Sequence, residues 1–256
     1  MAENAEKAQK KEWWSDFFSG LAVEMWRKAM TEDRTLADVG VVRKCLDLKP
    51  RAKILDVPCG NGRLTLPLAA EGYTLTGVDI SADFLAEGRA NAGKRRLKIS
   101  WEQREMRNLP WKGEFDGAYC YGNSFGYLDD VGNAEFLQAV FRTLKPGARF
   151  VLDASSVAEN VLPIHEKHTE MQFGDILFIE DNVYDEATHR LDTDYTFVRG
   201  EVREKKLGSH RIYTHAEFPR LLTDAGFVVL NEYGSTEMEP FKPGSPGLYL
   251  TAMKPI

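Results

Sequence analysis

The feature that most constrains this chain is a pair of glycines directly after a short apolar stretch. Residues 52–57 are apolar enough for a buried strand, Gly60 and Gly62 follow, and residues 64–70 carry apolar side chains at helical spacing. A strand, a tight glycine turn and a helix open the βαβ unit that binds nucleotides in parallel sheets. Glycine lets the backbone approach a ligand closely because it has no Cβ, and the first N–H groups of the helix stay free for that ligand. The segment therefore predicts an α/β fold with a nucleotide site at the turn.

Carboxylates near the glycine turn bear on the kind of ligand. Asp56 precedes Gly60 by four residues, and Asp79 ends a second apolar run over residues 73–78. A carboxylate beside the turn repels a pyrophosphate and attracts an ammonium or a sulfonium, whereas a strand-end acid accepts hydrogen bonds from ribose hydroxyls. Thr65 stands where a dinucleotide fingerprint has its third glycine, so a nicotinamide-dependent reductase fits poorly. A glycine turn that binds no ligand remains the structural alternative.

The ordered set of these residues has a family resemblance. The pattern Asp-x-x-Cys-Gly-x-Gly at residues 56–62, followed by Gly-Val-Asp-Ile-Ser at residues 77–81, resembles the class I S-adenosylmethionine-dependent methyltransferases. The resemblance is close over roughly residues 50–155 and loose over the remainder. It implies S-adenosyl-L-methionine as cofactor, S-adenosyl-L-homocysteine as product, and in-line attack of an acceptor on the S-methyl group. It also implies a Rossmann-like sheet of seven strands in which the last strand is antiparallel.

The order of apolar runs predicts the architecture. Strand-like and helix-like segments alternate over residues 52–153, which indicates a mostly parallel sheet with helices on both faces. Residues 155–212 break this rhythm, because residues 172–184 and residues 191–204 both have strand character and suit an antiparallel hairpin. We therefore expect an inserted antiparallel β cap on the substrate side of the cofactor domain.

The segment before the first strand is rich in aromatic residues. Within residues 11–30, apolar side chains recur on one helical face, namely Trp14, Phe17, Phe18, Leu21 and Met25. This helix packs on the core or, as in the resembling family, forms a lid over the ligand. The predicted domains are an N-terminal helical lid over 1–50, a cofactor-binding domain over 51–155 and 213–256, and the inserted cap over 156–212.

The resemblance also implies which residues hold the cofactor. Asp56 would hold the methionine part and Asp79 the ribose, while Ile80 and Met106 would enclose the adenine. Glu105 would accept from the adenine amino group, although the usual acid at that place is aspartate. The predicted cofactor-binding set is Asp56, Pro58, Cys59, Gly60, Asn61, Gly62, Asp79, Ile80, Glu105, Met106, Cys120 and Tyr121.

The acceptor pocket is predicted around the aromatic N-terminal helix and the loop after the fourth strand, because open α/β sheets bind ligands at the carboxyl ends of their strands. Its candidate residues are Trp14, Phe18, Asn123, Phe125, Tyr127 and Tyr213, each with a packing role as the alternative. A general base is needed only if the acceptor arrives protonated, as a phenol or an amine would, and histidine is the default near neutral pH. His215 and Tyr213 are candidates for a catalytic role, and the catalytic residue otherwise stays unassigned.

Composition narrows the partners. The net charge of −6 and the pI of about 5.5 argue against a nucleic-acid substrate. The three cysteines form no CxxC pair and no zinc-site spacing, and no run of 18 residues is apolar throughout. We expect a cytoplasmic monomer or homodimer that acts on a small-molecule acceptor at nitrogen or oxygen, with no metal, nucleic acid or membrane partner. A module that binds the cofactor or its demethylated product without catalysis is the rival interpretation.

Overall fold

The structure, a computed structural model, describes residues 12–256. Its helices are α1 (Trp14–Phe17), α2 (Gly20–Ala29), α3 (Glu32–Leu46), α4 (Thr65–Ala70), α5 (Ala82–Lys94), α6 (Asp130–Thr143), α7 (Ala158–Val161) and α8 (Glu217–Asp224), with a 3-10 turn at Leu162–Ile164. Its strands are β1 (Lys53–Asp56), β2 (Thr74–Asp79), β3 (Ser100–Gln103), β4 (Phe115–Cys120), β5 (Leu144–Asp153), β6 (His168–Phe173), β7 (Ile176–Asp185), β8 (Arg190–Arg199), β9 (Val202–Arg211), β10 (Val228–Tyr233) and β11 (Tyr249–Met253). No helix in the described part is long and apolar enough to cross a membrane.

A seven-stranded sheet forms the main layer, in the order β10-β11-β5-β4-β1-β2-β3. Strand β1 pairs in parallel with β2 and β4, and further parallel pairs join β2 to β3 and β4 to β5. Strand β11 runs antiparallel to both β5 and β10. The predicted mostly parallel sheet with an antiparallel last strand is therefore confirmed. Since carboxyl ends of parallel strands share one edge, Asp56, Asp79 and Asp153 all end strands at that edge.

Helices cover both faces of this sheet because successive side chains along its strands point alternately into two apolar clusters. On β5, Phe150 and Leu152 belong to one cluster with Phe136 of α6, whereas Val151 belongs to the other with Leu46 of α3. Each of these side chains is at most 2% exposed, and full burial of a side chain of this size contributes about 1.5–3 kcal/mol. The two-sided burial matches the expectation of helices on both faces.

The inserted segment folds as a second, antiparallel sheet in the order β6-β7-β8-β9. The predicted antiparallel insertion is confirmed, and β7 and β8 form the predicted hairpin. Only the extent of the two strands was wrong, because each run is cut by a two-residue turn. Phe173 pairs with Ile176 across Gly174, and Arg199 pairs with Val202 across Gly200. Both glycines have positive φ, 63° and 59°, as hairpin turns with glycine at the first central position require.

The aromatic N-terminal segment forms two helices instead of the single helix predicted. The helical path stops at Phe18 and Ser19, and Gly20 restarts it with φ +59°. The backbone N–H of Leu21 donates to the Glu204 carboxylate at 2.8 Å, which ties α2 to β9. The cluster that joins these helices to the inserted sheet consists of Trp13, Phe17, Leu21, Ala22, Met25, Ile176, Phe178 and Phe197. Residues 1–11 of the predicted lid lie outside the described residues.

Candidate functional site

A cavity of about 510 Å³ lies where the carboxyl ends of β1, β2, β4 and β5 meet the N-terminal helices. Asp56, Asp79 and Asp153 line it from the sheet edge, and Trp14 and Phe18 line it from the helices. The cavity therefore occupies the place where an open α/β sheet binds its ligand. It is roofed by the same helices that pack on the inserted sheet.

The two glycines of the turn have different surroundings. Gly60 lines the cavity with φ +54°, and a Cβ added to it would meet no protein atom nearer than 4.0 Å. Gly62 also has positive φ, +83°, but a Cβ there would lie 2.5 Å from the ring of Trp101. Gly60 thus leaves open space at the cavity wall, whereas Gly62 makes room for Trp101 and is not among the lining residues.

Asp56 is held beneath the turn by two hydroxyl groups. The Tyr119 hydroxyl donates to its carboxylate at 2.7 Å, and the Thr65 hydroxyl donates to the same oxygen. Burial raises the pKa of Asp56 to about 7. Thr65 stands where a dinucleotide-binding chain has glycine, and here its hydroxyl donates a hydrogen bond to the buried Asp56.

Asp79 fixes the shape of the glycine turn from the neighbouring strand. Its carboxylate accepts the backbone N–H of Gly60 at 2.8 Å and that of Ser81 at 2.9 Å. Burial raises its pKa, and its charge contributes to the raised pKa of Asp56. Each carboxylate oxygen has two lone pairs, so Asp79 keeps acceptor capacity toward the cavity that it lines.

The wall beyond β2 and β3 combines apolar and charged groups. Ile80, Phe84 and Met106 supply apolar surface, and Glu105 supplies a carboxylate. Arg107 donates to that carboxylate from its Nε at 3.0 Å and from its backbone N–H at 3.2 Å. The wall suits a flat, partly polar group such as a nucleobase.

A polar network that the sequence did not predict closes the opposite end of the cavity. Asp38 of α3 is 1% exposed and accepts from Arg63 at 2.6 Å and from the Arg34 Nε at 3.1 Å. The Tyr121 hydroxyl donates to the same carboxylate at 3.1 Å. Asp153 lines the same cavity as Asp38. Burial is the main cause of the raised pKa of Asp153, and the charge of Asp38 adds to it.

The loop after β4 is joined to the segment after β5. Asn123 donates from its side chain to the Ser156 hydroxyl at 2.6 Å and accepts the Ser156 backbone N–H at 2.9 Å. Asp153 accepts the Gly122 N–H at 3.0 Å and the Ser155 hydroxyl at 2.6 Å. These bonds fix the cavity wall between β4 and β5.

The predicted site residues divide into those that line the cavity and those that do not. The lining residues are Trp14, Phe18, Asp56, Pro58, Cys59, Gly60, Asn61, Asp79, Ile80, Glu105, Met106, Tyr121, Asn123 and Tyr127. The predicted residues outside the lining are Gly62, Cys120, Phe125, Tyr213 and His215. Lining residues that the prediction omitted include Arg34, Asp38, Arg63, Phe84, Arg104, Asp153 and Ser155.

The residues outside the lining have other partners. Cys120 is fully buried, and Phe125 packs on Phe136 and Phe218. The Tyr213 hydroxyl donates to Asp130 at 2.7 Å. The His215 ring stacks on Phe241 with centroids 4.6 Å apart, and its Nε2 contacts Glu232. These contacts account for the side chains, and none of them is among the lining residues of the cavity.

Comparisons with known proteins agree with this architecture. Residues 54–147 match the family model described as a methyltransferase domain. The chain is 28% identical over 184 residues to a provisionally named methyltransferase of Geobacillus sp. (strain WCH70), covering 70% of this chain and 74% of that protein.

Solved structures extend the likeness to the whole fold. An S-adenosylmethionine-dependent methyltransferase from Clostridium acetobutylicum superposes with a TM-score of 0.76 at 18% identity, covering 100% of this chain and 99% of that chain. An amino pentose methyltransferase from Micromonospora echinaspora, solved with S-adenosylmethionine bound, superposes with a TM-score of 0.66 at 16% identity, covering 93% and 99%. The predicted fold is confirmed by these superpositions.

Proposed function

We propose that this chain, whose residues 54–147 match a methyltransferase domain and whose fold superposes on that of an S-adenosylmethionine-dependent methyltransferase, transfers a methyl group from S-adenosylmethionine to nitrogen or oxygen of a small molecule. The observation that carries the proposal is a cavity that is lined together by Asp56, Gly60, Asp79 and aromatic side chains of the N-terminal helices. The sequence-based prediction of the family and its cofactor rested on the same residues.

The residues present fit this cofactor. Gly60 leaves space where a side chain would protrude, and Asp79 offers lone pairs for ribose hydroxyls. Ile80 and Met106 offer apolar surface to the adenine. The buried indole N–H of Trp14 has no hydrogen-bond partner in the described part of the chain, and a buried donor of this kind normally has one. This donor is an unpaired polar group of a residue that lines the cavity.

When bound, S-adenosylmethionine supplies a methyl group on a positively charged sulfur. The task of the protein is to hold the acceptor in line and close to that group, which can lower the barrier by about 7–11 kcal/mol. Trp14, Tyr121 and Tyr127 line the cavity with aromatic surface, and a cation over an aromatic face gains about 0.5–2 kcal/mol. The roof over the cavity limits the entry of water during transfer.

A small acceptor is favoured by the shape and the charge of the molecule. Residues of α1 and α2 line one side of the cavity, which leaves less room for an extended polymer, and the net charge is −6. The Micromonospora echinaspora protein with the same fold is an amino pentose methyltransferase, which is a precedent for a small acceptor on this architecture.

Calorimetry with S-adenosylmethionine and S-adenosylhomocysteine tests cofactor binding. We expect saturable binding of both, and the absence of heat and of a thermal shift at millimolar ligand would overturn the proposal. Release of S-adenosylhomocysteine in the presence of a panel of small acceptors tests catalysis. Cofactor binding without turnover of any acceptor would instead favour a non-catalytic binding module.

A further inference from the structure

The strand order shows which part of the cavity a cofactor leaves free, given the function proposed above. The neighbouring strands β2, β1, β4 and β5 end in Asp79, Asp56, Cys120 and Asp153. Strands in a sheet lie about 4.8 Å apart, so Asp153 is about 14 Å along the edge from Asp79. The nucleoside part of the cofactor belongs to the β1–β3 end. The acceptor therefore lies toward β4 and β5, where Tyr121, Asp153 and Ser155 line the cavity.

Asp153 is the charged group at this end that lacks a cation. It is 5% exposed, and its hydrogen-bond partners among the described residues are all neutral donors, namely the Gly122 N–H at 3.0 Å, the Ser155 N–H at 3.1 Å and the Ser155 hydroxyl at 2.6 Å. The neighbouring Asp38 differs, because Arg34 and Arg63 form ion pairs with it. Within residues 12–256, no ion pair of this kind is found for Asp153. A buried carboxylate without a cation is costly to the fold, so a positively charged or hydrogen-donating ligand is the natural complement.

A second observation concerns proton acceptors. Among the cavity-lining residues of the described chain there is no histidine. His210 lies nearby but contacts the Phe125 carbonyl oxygen at 3.1 Å, and burial lowers its pKa to about 4. A hydroxyl acceptor reacts best as its anion, and an anion beside Asp153 would be repelled. An amine that enters as the free base already has its lone pair available, so the general base that a protonated amine would need is not required.

We propose that the methyl acceptor is an amine and that Asp153 binds its nitrogen. The nitrogen lone pair forms the N–C bond while the C–S bond breaks and its electron pair stays on sulfur. Positive charge thereby moves from sulfur to nitrogen, and the product ammonium ion then releases a proton to water. A carboxylate beside the nitrogen stabilises that charge as it develops, while an N–H hydrogen bond to the carboxylate directs the lone pair toward the methyl group.

The first test uses the protein saturated with S-adenosylhomocysteine and probe pairs matched in shape: benzylamine and benzyl alcohol, cyclohexylamine and cyclohexanol, hexylamine and hexanol. Binding is measured by calorimetry and by the shift in melting temperature. We expect the amines to bind about tenfold or more tightly than the alcohols, the size of one hydrogen bond to a charged group. Equal binding, a preference for alcohols, or no response to any amine would overturn the inference.

The second test replaces the carboxylate. Asp153→Asn should lower amine binding about tenfold and leave the affinity for S-adenosylhomocysteine within about twofold, because the nucleoside part of the ligand lies elsewhere along the edge. The matched control is Asp116→Asn, since Asp116 also accepts a backbone N–H, that of Lys53 at 2.8 Å, but does not line the cavity. Ser155→Ala keeps the charge and should keep the amine preference.

Two results of the second test would overturn the inference. The first is an amine preference that persists in Asp153→Asn, and the second is an equal loss of amine and S-adenosylhomocysteine binding, which would assign Asp153 to the cofactor. If Asp153→Asn fails to fold, the comparison of amines with alcohols on the unaltered protein still tests whether the site prefers an amine. Failure of the proposed function is distinct, because it would show as absent binding of S-adenosylhomocysteine itself.

Discussion

At the scale of single residues, Asp79 both shapes the turn and faces the cavity. Its carboxylate accepts two backbone N–H groups, so its complete removal would leave buried donors unpaired. We predict that Asp79→Asn, which keeps one acceptor oxygen, weakens S-adenosylmethionine binding by about 1–3 kcal/mol through the loss of hydrogen bonds to a charged group. Calorimetry measures this affinity. Asp83→Asn, an exposed change on α5, is the control, and equal affinities for both variants would remove Asp79 from the site.

Asp56 gives a prediction that depends on pH. Burial raises its pKa from the ordinary value of 3.8 to about 7, so the folded chain keeps a proton that the unfolded chain releases between those values. Its contribution to the free energy of unfolding is fully present below the unfolded pKa and is lost as the pH rises through about 7. Asp56→Asn cannot ionise. We therefore compare the free energy of unfolding of Asp56→Asn with that of the unaltered protein. The difference between the two should change in favour of the variant by up to about 4 kcal/mol between pH 4 and pH 8.

Urea unfolding of the ligand-free protein at a series of pH values checks this difference. Parallel stability profiles for the two proteins would contradict it. The comparison requires absence of ligand, because a bound cation would lower the pKa of Asp56.

How much of the site could be predicted depended on sequence distance. Asp56, Gly60 and Asp79 belong to two short motifs whose local geometry follows from residue order, and all three line the cavity. Asp38 and Arg63 meet only because α3 packs beside the turn, which no local pattern encodes. The signal that could have found Asp38 was an acid on the inward face of an amphipathic helix, next to Val39 and Val42.

Aromatic residues were the least predictable part of the site. Phe125 and Tyr127 stand two residues apart in one loop, yet Tyr127 lines the cavity while Phe125 packs in the core. Either place buries an aromatic ring, so burial alone could not separate them. Gly62 was ambiguous for a similar reason, because a glycine can make room for a ligand or for a side chain such as Trp101.

At the scale of elements, helix α5 packs on β3 through a glycine. A Cβ at Gly88 would lie 2.7 Å from the Trp101 ring, whereas one at Gly93 of the same helix would meet nothing within 4 Å. We predict that Gly88→Ala lowers the free energy of unfolding by about 1–3 kcal/mol through overpacking. Gly93→Ala should raise it by up to about 1 kcal/mol, because alanine favours the helix.

Urea unfolding of both variants provides the measurement. Since the two substitutions are chemically identical and lie on one helix, the difference between them reports the crowding of the new Cβ against Trp101 and the Asn61 carbonyl oxygen. A stabilising Gly88→Ala would mean that the indole has room to move.

The boundaries of strands and helices were predicted well where the two alternate along the chain. They were predicted less well in the insertion, where strand follows strand. Residues 172–184 and 191–204 have strand character almost throughout, so Gly174 and Gly200 were the only local signs of the turns that divide the inserted sheet. The N-terminal helix breaks directly before Gly20, and Glu204 of β9 accepts the N–H of the next residue, Leu21. Such contacts between remote segments are invisible in a local pattern.

At the scale of the whole molecule, two adjacent phenylalanines face different parts of the structure: Phe17 faces the inserted sheet and Phe18 faces the cavity. Phe17 is 5% exposed within the cluster that joins α1 and α2 to the inserted sheet. Phe18 lines the cavity and packs near Phe84 of α5, with ring centroids 5.6 Å apart. We predict that Phe17→Ala lowers the free energy of unfolding by about 3–5 kcal/mol. Phe18→Ala should cost less stability and weaken S-adenosylmethionine binding by about 1 kcal/mol or more through lost apolar burial.

Urea unfolding and calorimetry on the same two variants separate these effects. A greater loss of stability from Phe18→Ala, or weaker ligand binding from Phe17→Ala alone, would reverse the assignment of the two side chains.

The attachment of α1 and α2 to the inserted sheet has a consequence for engineering and for evolutionary drift. The Trp13 indole donates to the Ser209 carbonyl oxygen at 2.9 Å across a separation of 196 residues. Two remote stretches of sequence therefore pack together as one structural unit. A chimera that imports residues 156–212 from a homologue, yet keeps its own first helices, would set mismatched surfaces against each other. New acceptor preferences are therefore best transplanted as a matched pair of segments, and lineages that diverge in one stretch should show compensating changes in the other.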